Sequence, residues 1–161
     1  MAVAVGDTAP EVPVGELAPD FELPDQHGQP VRLSSFRGER AVLLVFFPWA
    51  FTGICGTELH ALEKVQAELA ERGVTVLALS TDSMYVQRVF ADREGFTFQL
   101  LADFWPHGGV AAAYGALVGS VGVARRATFL VDREGVVRWR VLNDIGQERR
   151  VEDVLDAVDA L

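Results

Sequence analysis

Cys55 is the only thiol in a chain of 161 residues. A thiol attacks as its thiolate, and an unperturbed cysteine titrates near ~8.5, so neutral solution leaves it mostly protonated. The residues around Cys55 address that problem. Thr52 stands three positions before it and Glu58 three after, each about one helical turn away. Threonine is a good helix N-cap. That reading puts Cys55 in the first turn of a helix, where the backbone dipoles favour an anion. The Thr52 hydroxyl, one turn from Cys55, can face the sulfur. Nucleophilic chemistry by an activated thiolate is the reading these residue types support. A thiol–disulfide exchanger would need a second thiol in C-x-x-C spacing, and Cys55-Gly56-Thr57-Glu58 lacks it.

A central strand has to carry this group. Ala41 to Phe47 is a continuous apolar run with no polar alternation, as expected for a strand buried on both faces. Pro48 ends it, since proline offers no N–H to a ladder. Cys55 therefore sits at the carboxyl end of a strand and the amino end of a helix, where open α/β sheets bind ligands. The helix runs from Gly53 to about Arg72, with Leu59, Leu62, Val65, Leu69 and Ala70 on one face. A second buried strand, Val74 to Ser80, follows Gly73. Asp82 or Ser83 caps the next helix, Met84 to Glu94, which Gly95 closes. A short strand over Phe98 to Leu101, a loop from Asp103 to Gly109 and a short helix near Val110 to Tyr114 come next. Strands Ala127–Val131 and Val136–Val141 flank the turn Asp132-Arg133-Glu134-Gly135. Val151, Val154, Leu155, Val158 and Leu161 form the stripe of a last helix. Upstream, Phe21–Leu23 and Val31–Leu33 read as a hairpin around Asp25-Gln26-His27-Gly28, and Ser34 to Gly38 as one helical turn. Two parallel βα units, a hairpin and a helix make an α/β, thioredoxin-like order: a central mixed β-sheet flanked by helices.

Length suits one domain with a real core. Residues 1–17 have no apolar periodicity and repeat themselves: Val5-Gly6-Asp7-Thr8-Ala9-Pro10-Glu11 resembles Val14-Gly15-Glu16-Leu17-Ala18-Pro19-Asp20. They read as an N-terminal extension, a mobile tail rather than an arm on a neighbouring subunit, ahead of a domain over 18–161. The net charge of −9 disfavours nucleic acid and anionic membrane as partners. No stretch is long and apolar enough to span a bilayer, and the amino terminus has no basic n-region. A lone cysteine fits a reducing compartment, so a cytoplasmic location is expected. His27, His60 and His107 are scattered and carry no metal-ligand spacing, so no metal or cofactor is expected.

Pro48-Trp49-Ala50-Phe51-Thr52-Gly53-Ile54-Cys55 fits the P-x-x-x-T-x-x-C signature of the peroxiredoxins, the thiol peroxidases. Ala18-Pro19-Asp20-Phe21-Glu22-Leu23 resembles that family's opening, and Arg126-Ala127-Thr128-Phe129-Leu130-Val131-Asp132 its R-x-T-F-x-V-D strand. With Asp103-Phe104-Trp105-Pro106-His107-Gly108, the set is most similar to the one-cysteine alkyl hydroperoxide reductase E group. The resemblance covers nearly the whole chain and implies the thioredoxin-like fold.

It also implies roles. Cys55 would be the peroxidatic thiolate, Thr52 and the Cys55 N–H would hold the peroxide, and Pro48 would shield the sulfur. Arg126 would be the cation that lowers the thiol's affinity for its proton. Glu58 would steer Arg126 through a carboxylate–guanidinium bond. Arg125 and Arg126 alternate along a strand, so only one can face the site, and the resemblance selects Arg126. Attack on H₂O₂ or an alkyl hydroperoxide would leave a sulfenic acid on Cys55. The position five residues after Cys55, a resolving cysteine in some peroxiredoxins, holds His60. An external thiol reductant is therefore implied, either a low-molecular-weight thiol or a thioredoxin- or glutaredoxin-like protein. The aromatic loop Phe104-Trp105-Pro106 suggests a homodimer. A peroxide sensor signalling through oxidised Cys55 is the alternative reading. Trp49 and Gly56 depart from common family residues, and Trp49 bears on peroxide preference.

Overall fold

The computed structural model describes residues 8–161, apart from the side chain of Cys55. A hairpin of β1 (Glu22–Pro24) and β2 (Pro30–Arg32) comes first, followed by a 3-10 turn over Leu33–Phe36. Then come β3 (Ala41–Phe46), α1 (Gly53–Glu71), β4 (Val74–Ser80), α2 (Met84–Glu94) and β5 (Gln99–Ala102). The second half holds α3 (Gly109–Ala113), β6 (Leu117–Val118), β7 (Val123–Ala124), β8 (Arg126–Val131), β9 (Val137–Asn143) and α4 (Val151–Asp159). The central sheet has the order β5-β4-β3-β8-β9. β3 runs parallel to β4 and antiparallel to β8, with Val45 opposite both Ala78 and Thr128. This is the mixed, helix-flanked, thioredoxin-like sheet that the element order predicts.

Every residue of β3 is buried, which explains the absence of polar alternation in its sequence. Its side chains still alternate. Val42, Leu44 and Phe46 enter one core with Leu77, Tyr114 and Phe129. Leu43, Val45 and Phe47 enter the other, with Leu59, Leu62 and Leu69 of α1, Phe90 of α2, and Val154 and Val158 of α4. Truncating such a core leucine to alanine costs on the order of 2–5 kcal/mol. Tyr114 is fully buried among Phe21, Phe46 and Phe129, and its hydroxyl donates to the Pro19 carbonyl at 2.6 Å. That bond ties the Ala18-Pro19-Asp20 segment to the sheet.

Helix ends follow their sequence signals in part. Ser83 caps α2 by accepting from the Val86 N–H at 3.3 Å, and Gly95 ends it in the left-handed region at φ 73°. Asp82 is used elsewhere. Thr52 occupies the N-cap of α1 with extended backbone, but its hydroxyl donates to the Trp49 carbonyl at 2.9 Å and caps nothing. Ala70, placed on the buried stripe by periodicity, is exposed at the last turn of α1. Leu161 lies beyond the end of α4 and is exposed. The hairpin β6–β7 had no sequence signal, being two residues on each side.

Part of the expected N-terminal extension is described. Residues 8–17 are laid along the body: Ala9 N–H donates to Ala112 O at 2.8 Å and Gly15 N–H to Val137 O at 2.8 Å. Val137 N–H returns a bond to Glu16 O at 2.9 Å, Val12 is buried, and Leu17 bridges Val136. Glu11 pairs with Arg125 at 3.0 Å. Composition gives no sign of these contacts because the segment is held through backbone bonds, one apolar side chain and the Glu11 ion pair, not a periodic stripe. Residues 1–7 lie outside the described residues.

Candidate active site

The strand-to-helix loop after β3 carries the motif. Phe47 N–H still bonds Leu79 O at 2.9 Å, and Pro48, buried, then turns the chain out of the ladder. Phe51 has φ 65°, a left-handed conformation uncommon for a residue with a side chain. Its ring lies 5.0 Å from that of Phe90, with the Arg93 guanidinium 5.8 Å from its centroid. Thr52 is half-buried, and its carbonyl accepts the Gly56 N–H at 2.9 Å, which closes the first turn of α1. Cys55 is in that turn. Its side chain is outside the described residues, and with it the expected contacts of the sulfur with Thr52, Pro48 and Arg126.

Glu58 and Arg126 do meet. Both are buried, at 4% and 2% exposure, and Arg126 Nη1 lies 2.5 Å from Glu58 Oε1. Arg126 opens β8, two residues before Thr128, which faces Val45 near the carboxyl end of β3. Its Nε also donates to Ile145 O at 2.5 Å, in the loop after β9. Arg125, on the opposite side of the strand, turns away to Glu11. Glu58 lies one turn beyond Cys55 on the same helix, so its carboxylate holds a guanidinium beside the amino end of α1.

A second, largely enclosed guanidinium joins the cluster. Arg149 Nε donates to Glu58 Oε2 at 2.9 Å, and its backbone N–H to the same oxygen at 2.5 Å. Its Nη1 reaches Phe46 O at 2.5 Å and Ala127 O at 3.0 Å, bridging the ends of β3 and β8. Sequence reasoning missed Arg149 because it belongs to an Arg149-Arg150 doublet, a pattern typical of solvated surface.

The histidines lie in other settings. His27 is exposed in its turn. His60 pairs with Glu94 at 3.0 Å, and His107 is 2.5 Å from Gly122 O. Among the described residues, no three His, Asp or Glu side chains gather as metal ligands. Asp103 is buried and accepts the Val110 and Ala111 N–H groups at 3.0 and 2.9 Å. Burial pushes its carboxyl up to about 6, against the downward pull of those two bonds and of His107. A cavity of about 670 Å³ opens at the far end of the sheet, lined by Ala41, Gly73, Asp132 and Trp139, with no residue of the motif.

The structure thus presents P-x-x-x-T-x-x-C at the start of α1 on a mixed, helix-flanked sheet, with a buried arginine–glutamate pair. Residues 14–140 match the AhpC/TSA family, and the chain belongs to it. Alkyl hydroperoxide reductase E of Mycobacterium tuberculosis is 45% identical over 148 residues, spanning 92% of this chain and 97% of that protein. Thioredoxin peroxidase of Echinococcus granulosus is 36% identical over 157 residues, 91% of this chain and 80% of that one. Among solved structures, Enterococcus faecalis AhpC superposes with a TM-score of 0.84 at 30% identity, over 91% of this chain and 90% of that chain. Peroxidoxin BcpB from M. tuberculosis gives 0.81 at 31% identity, over 92% and 97%. This chain is a peroxiredoxin, similar to the alkyl hydroperoxide reductase E group, and a thiol-dependent peroxidase. Among the described residues, no helix is long and apolar enough to cross a membrane.

Proposed function

We propose that this peroxiredoxin works with one cysteine. The Cys55 thiolate attacks the outer oxygen of H₂O₂ or an alkyl hydroperoxide; the O–O bond breaks, and water or an alcohol leaves once protonated. Cys55 becomes a sulfenic acid. The observation that carries this reading is the buried Glu58–Arg126 pair, 2.5 Å across and one turn from Cys55. A guanidinium held there favours the thiolate over the thiol, and its planar, many-pronged shape suits a peroxide oxygen. Thr52 supplies the hydroxyl that orients the peroxide, and Pro48 closes the pocket wall.

Turnover follows from the cysteine count. Cys55 is the only thiol in the chain, so the sulfenic acid is reduced by an external thiol. That thiol is a small molecule or an exposed cysteine of a thioredoxin- or glutaredoxin-like protein. The thiol condenses with the sulfenic acid, water leaves, and a second thiol cleaves the mixed disulfide. A reducing, cytoplasmic setting suits this cycle. The chain acts as a homodimer: Phe104 and Trp105 are 53% and 75% exposed on the loop after β5, which is the kind of aromatic surface a partner covers. Sedimentation at micromolar concentration tests the dimer.

Stopped-flow peroxide consumption tests the chemistry. Cys55→Ser is expected to abolish it and leave the fold intact, and activity surviving in that variant would overturn the reading. Intact mass spectrometry is expected to show one small-thiol adduct per chain after one equivalent of peroxide plus thiol. After excess peroxide alone it is expected to show two added oxygens.

A further inference from the structure

Asp82 stands between β4 and α2, next to the capping Ser83, yet it does not cap α2. Its Oδ2 accepts the backbone N–H of Ala50 at 2.9 Å and the hydroxyl of Ser80 at 2.7 Å. Ser80 is 1% exposed and its oxygen accepts from Gln87 Nε2 at 3.0 Å. Gln87 is fully buried, and the same nitrogen donates to Leu101 O at 2.8 Å. A chain of hydrogen bonds thus runs from β5 through α2 and the end of β4 to the middle of the Pro48–Thr52 loop.

That loop needs an anchor. Ala50 precedes Phe51, whose φ of 65° persists only where the surroundings over-determine it. The Phe90 ring and Arg93 hold the Phe51 side chain, and Asp82 holds the backbone one residue earlier. We propose that Asp82 is a positioning residue of the peroxidase: by fixing the Ala50 N–H it sets where Pro48 and the Thr52 hydroxyl stand relative to the first turn of α1. This rests on the roles given to Cys55 and Thr52 in the preceding subsection. Charge is not what Asp82 contributes. A carboxylate near the site opposes thiol ionisation, whereas both donors converge on one oxygen, a place an amide oxygen can take.

The test compares wild type with Asp82→Asn, Asp82→Ala and Asp82→Glu. Stopped flow gives the second-order rate constant for oxidation and its pH midpoint. Asp82→Ala and Asp82→Glu are expected to slow oxidation by about tenfold to a hundredfold, the scale of a misplaced reacting group. Asp82→Asn is expected to stay within about threefold of wild type with an unmoved pH midpoint. Hydrogen exchange at the Ala50 amide is expected to speed up in the two slow variants and stay slow in Asp82→Asn. Should Asp82→Ala fail to fold, Asp82→Glu, which keeps the charge and moves the acceptor, decides alone. A wild-type rate in Asp82→Glu overturns the proposal, as does an Asp82→Asn as slow as Asp82→Ala with a shifted midpoint, the mark of a charge role. If wild type itself consumes no peroxide, or Cys55→Ser still does, the chemistry assigned to Cys55 fails instead.

Discussion

Arg125 and Arg126 are neighbours in sequence and opposites in surroundings. Arg126 is 2% exposed and meets Glu58 at 2.5 Å against the inner end of α1. The Arg125 side chain is 23% exposed and meets Glu11 at 3.0 Å on the outer segment. Extended backbone sends successive side chains to opposite sides, so one doublet supplies a buried ion pair and a surface one. Removing one partner of a buried pair strands a charge in a poor solvent, at roughly 3–5 kcal/mol. The same edit at the surface costs about 0–1 kcal/mol, because water replaces the partner. Burial, not residue type, sets the weight of each pair.

Glu58→Ala breaks the buried side and has the largest expected effect. It removes the carboxylate shared by Arg126 and Arg149. Urea unfolding is expected to show a loss of roughly 3–5 kcal/mol. Peroxide oxidation of the folded fraction is expected to slow, because Arg126 loses its steering partner. An unchanged midpoint and rate would mean that the cluster holds nothing together.

Asp103 sharpens the comparison: it is a buried carboxylate satisfied by backbone N–H groups, where Glu58 has guanidinium ions. Burial raises it from the usual carboxylate value to about 6. Below pH ~4 both folded and unfolded chains hold this proton, and its stabilising contribution is fully present. As pH rises through ~6, the folded state gives up a proton it had bound more tightly than the unfolded chain, and that contribution is lost. About two pKa units correspond to a fall on the order of 3 kcal/mol. Asp103→Asn has no such titration. Wild-type stability relative to Asp103→Asn is expected to drop between pH ~4 and ~6 and level off above. A flat difference curve would refute the raised value.

Gly115 tests whether the outer segment is docked. At φ 72°, an added Cβ would lie 2.6 Å from the Glu11 N and Cα atoms. Gly115→Ala therefore meets both backbone strain and a collision with residues 10 and 11. The expected cost is roughly 1–3 kcal/mol, with faster proteolysis ahead of Val14. Deleting residues 1–12 from that variant should recover the collision part. If Gly115→Ala is as stable as wild type, the segment does not lie where it is described.

The inner region was far more legible in the sequence than the outer one. A run such as Ala41 to Phe47, short and rich in Val, Leu and Phe, reads as a buried strand, and proline, threonine and cysteine at fixed spacing match the peroxiredoxin signature. Glu58 stood out one helical turn from Cys55, and strand alternation let only one of Arg125 and Arg126 face the site; the family resemblance picked Arg126 and its pairing with Glu58. Arg149 did not stand out, since nothing local distinguishes an inward-turned arginine from its solvated neighbour Arg150. Asp82 was read as a possible helix cap, because an Asp-Ser pair before a helix offers two caps and only tertiary contact decides which is free. The contacts of residues 8–17 were hidden for a related reason. Their bonds to Ala112, Val137 and Arg125 span about a hundred residues or more, and no short-range pattern encodes such a partner.

Glu11→Gln makes the smallest edit and asks the sharpest question of the comparison. It removes the charge that Arg125 and Arg140 share at 3.0 and 3.6 Å and keeps a hydrogen-bond acceptor in place. Both pairs are partly exposed, so the expected loss is about 0.2–1 kcal/mol at low salt. Near 1 M salt, where screening acts over about 3 Å, it should vanish. Arg125 keeps its bond to Leu142 O at 3.0 Å, so the start of β8 has a second tether. The peroxide rate constant should therefore equal that of wild type. If Glu11→Gln slows oxidation, the two sides of β8 are not independent: the outer segment would then hold Arg126 in register through its neighbour, and the division into a weighty inner pair and a light outer one would fail.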